Sequence, residues 1–247
     1  MYAALALIAI IVFFASFGTY HYAHIPEETI LNELYRKTTP NLIKKNIQCK
    51  YDEILESTIS IESWEVPTNN DDFSPTGIDN GSYVPECDPA FSVAILGMLY
   101  NIGARRAIAD QFPCLILHDV DLLPLDRANL YACTRQPRHM SASIDKFRYV
   151  LPYSELVGGA LAIRADQYVA VDGFSNRFEG WGGEDDDMHA RIRAHQLDVV
   201  RFPRTRARYS MLVHAQAPRN AERFRIMAEK RRAHADEGYR AAPYRSV

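Results

Sequence analysis

One apolar run that ends in two carboxylates constrains this 247-residue chain more than any other feature. Residues 114–124 read CLILHDVDLLP, so a segment of strand length is followed by Asp119 and Asp121. An apolar run of this length is typical of a buried strand. We therefore predict an α/β fold with both acids at the carboxyl edge of a sheet, where such folds bind ligands.

Hydrophobic periodicity predicts the neighbouring elements. Apolar residues recur at helical spacing between residues 90 and 110, which indicates a helix there. Residues 158–163 are predicted to form a second buried strand, residues 185–195 a helix, and residues 197–202 a short strand. Alternation of strands and helices supports the α/β class.

The N-terminal part of the chain has a different character. Residues 1–20 contain no charged side chain and would span about 30 Å as a helix, which predicts a transmembrane anchor. A cleaved signal peptide is the alternative, because small residues lie near the end of the run. Residues 21–76 are interpreted as a stem and residues 77–247 as the folded domain. The net charge of -3 argues against nucleic acid as the main partner.

The chain has four cysteines, an even number that fits two disulfides in an oxidising compartment. Cys49 with Cys87 and Cys114 with Cys133 are the natural pairs. Four buried thiols would be expected instead if the chain were cytosolic.

Three groups of residues are candidates for chemistry. Asp119 and Asp121 offer hard oxygen ligands for Mn²⁺ or Mg²⁺ bridging a diphosphate, although a solvated turn has the same pattern. Residues 181–187 read WGGEDDD, where the glycines allow a mobile loop and the acids would form the first turn of a helix. Met211 and His214 lie three residues apart and would ordinarily be a core thioether and a surface imidazole.

The order and neighbours of these groups resemble a known family. The strings are HDVDLLP (118–124), NLYACTRQPRHMSASIDKF (129–147), LPYSELVGGALAI (151–163), DGFSNRFEGWGGEDDDMHARI (172–192) and SMLVH (210–214). They resemble the β-1,4-galactosyltransferases, glycosyltransferase family 7. The resemblance implies a GT-A-like fold, a type II Golgi membrane anchor with a lumenal catalytic part, and an inverting, Mn²⁺-dependent transfer from a UDP-sugar to terminal N-acetylglucosamine.

The resemblance also implies roles for individual residues. Asp185 matches the general base. The Mn²⁺ ligands are matched by Asp121, Met211 and His214. Donor-binding positions are Phe91, Asp119, Val120, Asp121, Lys146, Leu156, Gly159 and Trp181. Acceptor-binding positions are Trp181, Gly183, Glu184, Asp185, Asp186, Arg223, Phe224 and Met227. Both cysteine pairs proposed above coincide with bridges of the family.

Leu156 bears on the choice of donor sugar. Galactose-specific members of the family have a Tyr at the corresponding position, where its ring crowds the 2-position of the donor. A leucine leaves room for an N-acetyl group, as in the invertebrate β-1,4-N-acetylgalactosaminyltransferases that this chain resembles. UDP-N-acetylgalactosamine is therefore the expected donor, with UDP-galactose as the alternative.

The sequence departs from the family between Cys87 and Phe91. Only three residues separate them, where the family has two strands, a helix and an arginine-bearing nucleotide motif. We therefore expect a sheet that lacks the first strands of the donor half. Retained metal and base positions favour an active enzyme, whereas the short donor half favours a catalytically silent, membrane-anchored relative that binds carbohydrate or a partner.

Overall fold

The computed structural model describes residues 47–48, 93–96, 100–215, 217–229 and 237–242. The predicted anchor over residues 1–20, most of the stem, Phe91 and the Cys49–Cys87 pair lie outside these ranges. The departure from the family between Cys87 and Phe91 also lies outside them. Within the described ranges, no helix has both the length and the apolar character needed to span a bilayer.

The described residues form seven strands and five helices in mixed order. The strands are β1 (Ala94–Leu96), β2 (Cys114–His118), β3 (Leu122–Pro124), β4 (Arg138–His139), β5 (Ser143–Ile144), β6 (Ala160–Arg164) and β7 (Arg208–Met211). The helices are α1 (Tyr100–Ala109), α2 (Ala165–Ala170), α3 (Glu184–Ala194), α4 (Arg223–Ala228) and α5 (Gly238–Ala241), with a 3₁₀ turn at Asp145–Phe147. The predicted α/β class is confirmed.

Two small sheets carry the fold. The first has the strand order β1-β2-β6-β4, and the second has the order β3-β7-β5. Strand β2 pairs in parallel with β1 and antiparallel with β6, so its backbone is hydrogen-bonded on both edges. The antiparallel register brings the end of β2 next to the start of β6, since His118 lies opposite Ala160.

The two faces of β2 pack into different clusters because successive side chains of a strand point to opposite faces. Leu115 and Leu117 are buried in a cluster that includes Ala104 of α1 and Met188 of α3. Ile116 is buried on the other face, in a cluster that includes Tyr209 of β7. Helices cover one side of the strand and the second sheet covers the other, which explains why the run has no polar face.

Two of the predicted elements differ from the structure. The helix predicted over residues 90–110 is wrong at its start, because residues 94–96 form β1 and the helix begins at Tyr100. The strand predicted over residues 197–202 is also wrong. Among the described residues, this segment pairs with a strand only through a single bridge between Val200 and Arg138. The buried strand and helix predicted over residues 158–163 and 185–195 are confirmed as β6 and α3 with shifted ends.

One of the two predicted disulfides lies within the described residues and is confirmed. Cys114, at the start of β2, is bonded to Cys133, and their Cα atoms are 5.7 Å apart. Both cysteines are buried. The bond ties β2 to the segment before β4, so the strand that leads to Asp119 is fixed at its other end by a covalent link.

Candidate active site

The turn after β2 brings Asp119 next to the glycine pair that precedes β6. The Asp119 N–H donates to the Gly159 carbonyl at 2.8 Å, and the Leu122 N–H donates to the Asp119 carbonyl at 3.2 Å. Gly159 has a φ of +90°, and a Cβ there would collide with Leu122 and Ser141. Glycine is therefore required where the two segments cross.

The three predicted metal ligands lie together at one end of the β3–β7 pair. Leu122, which follows Asp121, is opposite Met211, and the Leu212 N–H donates to the Asp121 carbonyl at 2.7 Å. His214 Nε2 lies 2.8 Å from Asp121 Oδ2. Residues that are far apart in the sequence are thus placed side by side by strand pairing.

The arrangement of these groups fits a divalent cation. His214 Nδ1 lies 2.9 Å from the Ala215 carbonyl, which can only accept, so the ring is oriented with Nε2 toward the Asp121 carboxylate. Adjacent ligands of one octahedral ion with bonds near ~2.1 Å are about 3 Å apart, close to the His214–Asp121 distance. Within the described ranges, no group of three or more His, Cys, Asp or Glu side chains is placed to hold a metal ion, and the predicted set has a thioether, that of Met211, as its third member.

Asp185 lies in the first turn of α3, beside the same glycine pair. A Cβ on Gly158 would overlap with Asp185 Oδ2, so the carboxylate rests directly on the glycine backbone. Helix α3 begins after Gly183, whose φ of +101° favours glycine. Its first turn holds four acids, Glu184 to Asp187, at the end of the helix where backbone N–H groups favour negative charge.

The environment of Asp185 disfavours its charged form. Burial raises the pKa of Asp185 well above its ordinary value, and the carboxylates of Glu184, Asp119 and Asp186 raise it further. Burial also raises the pKa of Glu184, whose Oε2 atom finds no hydrogen-bond partner among the described residues. A carboxyl group with a raised pKa is a stronger proton acceptor than an ordinary aspartate.

Two tyrosines of the site were not found by sequence reasoning. The Tyr100 hydroxyl donates to Asp119 Oδ1 at 2.6 Å, and the Tyr153 hydroxyl donates to Asp186. Burial raises the pKa of Tyr100, so its phenol stays protonated and remains a donor. Burial raises the pKa of Asp119 as well, while the bond from Tyr100 opposes that shift. Each phenol thereby orients one acid of the site.

The predicted acceptor residues adjoin the glycine-rich loop before α3. The Trp181 N–H donates to the Pro218 carbonyl at 3.1 Å, and the Asn220 N–H donates to the Trp181 carbonyl at 2.9 Å. Arg223 packs against Gly183, and its guanidinium lies 4.3 Å from the ring centre of Phe224. Trp181, Phe224 and Met227 are all exposed. This apolar and cationic surface adjoins the start of the helix that carries Asp185.

The remaining predicted donor residues lie in three places: on the turn after β2, in the 3₁₀ turn and before β6. Val120 is 74% exposed at the tip of that turn, between Asp119 and Asp121. Lys146 is exposed in the 3₁₀ turn, next to Asp145, which accepts a hydrogen bond from the Met211 N–H at 3.0 Å. Leu156 lies just before the glycine pair.

Two family profiles match this chain. A family profile described as the N-terminal domain of galactosyltransferase matches residues 138–215. Another, described as the N-terminal region of glycosyl transferase group 7, matches residues 90–134. These two matches identify a domain of the glycosyltransferase type. The resemblance to glycosyltransferase family 7 found in the sequence is confirmed.

Individual relatives cover only part of this chain. β-1,4-Galactosyltransferase 3 of Rattus norvegicus is 40% identical over 152 residues, which are 60% of this chain and 38% of that protein. β-1,4-Galactosyltransferase 6 of Homo sapiens is 41% identical over 118 residues, 47% of this chain and 31% of that protein. The chain thus spans less than two fifths of the length of these relatives.

Two crystal structures of Drosophila β-1,4-galactosyltransferase 7 are also similar, at 29% identity. One is a mutant enzyme in complex with manganese, UDP-Gal and xylobiose, with a TM-score of 0.47 over 55% of this chain and 60% of that one. The other is a catalytic domain with xylobiose, with a TM-score of 0.48 over 60% and 64% of the two chains.

Proposed function

We propose that this chain is an inverting glycosyltransferase with a GT-A-like fold. It moves N-acetylgalactosamine, or galactose, from a UDP-sugar to the 4-hydroxyl of a terminal β-N-acetylglucosamine on glycoproteins or glycolipids, with Mn²⁺ as cofactor. The observation that supports this most is the convergence of acidic and metal-ligating side chains around the turn after β2, where Asp121 lies beside Met211 and His214 and Asp119 acts electrostatically on Asp185. The expected location is the Golgi lumen, behind an anchor formed by residues 1–20.

The chemistry follows from the positions of the acids. The acceptor hydroxyl oxygen attacks the anomeric carbon while the bond from that carbon to the diphosphate oxygen breaks on the opposite face. Asp185 takes the hydroxyl proton, for which its raised pKa suits it. When bound, a divalent cation supplies positive charge to the leaving diphosphate. One carboxylate is sufficient, because a single displacement inverts the anomeric centre without a covalent intermediate.

Leu156 supports N-acetylgalactosamine as the sugar transferred. A leucine has less bulk than a tyrosine and no hydroxyl, and it stands beside the glycine pair that touches Asp119 and Asp185. We expect the wild-type chain to prefer UDP-N-acetylgalactosamine and Leu156→Tyr to move the preference toward UDP-galactose. A pocket change of this size shifts discrimination by about 1–3 kcal/mol, or about 10- to 200-fold.

A competition between the two donors, with an acceptor ending in N-acetylglucosamine, measures this preference. Leu156→Ile is the matched control, since another aliphatic side chain should leave the preference unchanged. A wild-type enzyme that favours UDP-galactose would contradict the donor assignment. Binding of N-acetylglucosamine with no transfer from either donor would favour the silent, carbohydrate-binding alternative.

Tyr100 is expected to affect donor use through Asp119. Tyr100→Phe removes the hydrogen bond that the phenol donates to that carboxylate but keeps the ring, whose centre lies 4.9 Å from that of Phe174. A hydrogen bond to a charged group contributes about 1.5–3 kcal/mol, so we expect kcat/KM for the donor to fall about 10- to 100-fold. Steady-state kinetics and thermal melting check this. An unchanged kcat/KM would show that Asp119 does not depend on the phenol.

A further inference from the structure

Arg201 and His139 form a buried pair beside the segment that carries Leu156. His139 is completely buried in β4, and Arg201 is 6% exposed in the segment before β7. The Arg201 Nε–H donates to His139 Nδ1 at 3.1 Å. A buried guanidinium needs acceptors for its hydrogens, and the segment before β6 provides them.

The pair holds three alternate carbonyls of that segment. Arg201 Nη2 donates to the carbonyls of Ser154 and Leu156 at 2.8 and 2.9 Å. His139 Nε2 lies 3.0 Å from the carbonyl of Gly158. The two side chains therefore fix the backbone from residue 154 to residue 158.

The hydrogen-bond roles within the pair are unambiguous. His139 Nδ1 accepts from Arg201, so the ring hydrogen is on Nε2, which donates to Gly158. Burial, and then the charge of Arg201, lower the pKa of His139 to about 3. The ring therefore stays neutral around neutral pH, and its role is to hold the backbone rather than to exchange protons with substrate.

The segment from residue 154 to residue 158 bears on both donor choice and the proposed general base. It carries Leu156, and its Gly158 backbone is the surface on which the Asp185 carboxylate rests. We propose that Arg201 and His139 are positioning residues that set the donor specificity of the site by fixing Leu156 and Gly158 relative to Asp185. This inference rests on the proposed function.

The first variant is Arg201→Lys in the full chain. Lysine keeps the positive charge, but its single nitrogen cannot bond His139 and both carbonyls in the same geometry. We expect the donor KM to rise about fivefold or more. The ratio of kcat/KM for UDP-N-acetylgalactosamine to that for UDP-galactose should also change by about fivefold or more, because Leu156 is no longer fixed. A purely structural role would lower the amount of active enzyme without altering the ratio.

Arg204→Lys is the matched control. Arg204 lies three residues further on and donates through Nε and Nη2 to the Tyr149 carbonyl, at 2.9 and 2.6 Å. The variant therefore loses the same kind of guanidinium–carbonyl bond, but on a segment that does not carry Leu156. Its donor ratio should equal that of the wild type, whatever its melting temperature.

A second pair of variants keeps the test decisive if Arg201→Lys fails to fold. His139→Phe keeps a ring but loses the bond to Gly158, whereas His139→Gln retains an N–H donor. We expect the donor ratio to change in His139→Phe and to be restored toward the wild type in His139→Gln. Equal ratios in all folded variants would overturn the inference while leaving the transferase activity in place. A wild-type chain that transfers from neither donor would instead reject the proposed function, and this inference with it.

Discussion

Replacing Asp185 by asparagine should nearly abolish sugar transfer while making the protein more stable. The amide cannot accept the hydroxyl proton, and loss of a general base typically costs about 100- to 10,000-fold in kcat. KM for both substrates should change little, since the side chain keeps its size. The measurement is product formation under saturating donor and acceptor. A kcat close to that of the wild type would exclude Asp185 as the base.

The gain in stability follows from the pKa of the same carboxyl group. Folding raises this pKa above its ordinary value of 3.8, so the folded chain binds the proton more tightly than the unfolded chain. As the pH rises above that value, the free energy of unfolding therefore falls, until the folded-state pKa is passed. The asparagine side chain does not titrate. The Asp185→Asn variant should therefore melt higher than the wild type at neutral pH, and this advantage should vanish at acidic pH.

Asp187→Asn is the control for this prediction. Asp187 lies in the same helical turn, but its carboxylate pairs with Arg191, 2.6 Å away, whose side chain is only 4% exposed. We expect the activity of this variant to remain and its melting temperature to fall, because the buried Arg191 loses one of the two carboxylates, Asp187 and Glu237, with which it pairs. The two neighbouring substitutions should thus have opposite effects on activity and on stability.

Removing divalent metal is expected to eliminate activity, and Mn²⁺ should restore it far better than Mg²⁺. A thioether is a poor ligand for the harder Mg²⁺ ion, which makes Met211 a selective component of the set. His214→Ala should weaken the apparent affinity for Mn²⁺ by at least about 10-fold, since loss of a residue that merely supports a metal ligand already costs about 10- to 100-fold. Activity titrations with each metal after chelation measure both effects.

Met211→Leu tests whether the thioether determines the preference for Mn²⁺ over Mg²⁺, separately from the requirement for a divalent metal. Leucine keeps the bulk of the side chain in β7 and removes the sulfur, so the ratio of Mn²⁺-supported to Mg²⁺-supported activity should fall. Full activity of the wild type with Mg²⁺, or of His214→Ala at low Mn²⁺, would argue against the ligand set. Direct binding of Mn²⁺ to the chain without substrate provides a readout that does not depend on turnover.

Local pattern was sufficient to predict the centre of the fold. The run from Cys114 to His118 is apolar on both faces, and both faces are covered, so the strand and the acids after it could be located from the sequence. Met211 and His214 could be assigned only through resemblance to a family. Their own spacing suggests core packing, and it is the pairing of β3 with β7 that brings them to Asp121.

The remaining features depend on contacts between distant parts of the chain. Val93 and Leu96 have helical spacing, yet residues 94–96 pair with β2 as a strand, and nothing local to them reveals that partner. Nothing in the sequence distinguishes Tyr100 from any other aromatic residue of a helix, and its role follows only from the hydrogen bond that its hydroxyl donates to Asp119. In the sequence Arg201 resembles any surface arginine, and its burial is possible because three acceptors surround it.

The backbone bonds between Trp181 and residues 218–220 have a thermodynamic consequence for the two substrates. The loop that carries Trp181 and the segment that leads into α4 are joined by two N–H···O bonds, so displacement of one strains the other. If the donor sugar favours one position of this loop, the proposed acceptor residues on α4 move together with the loop. The factor by which a bound donor changes the affinity for the acceptor must then equal the factor by which a bound acceptor changes the affinity for the donor.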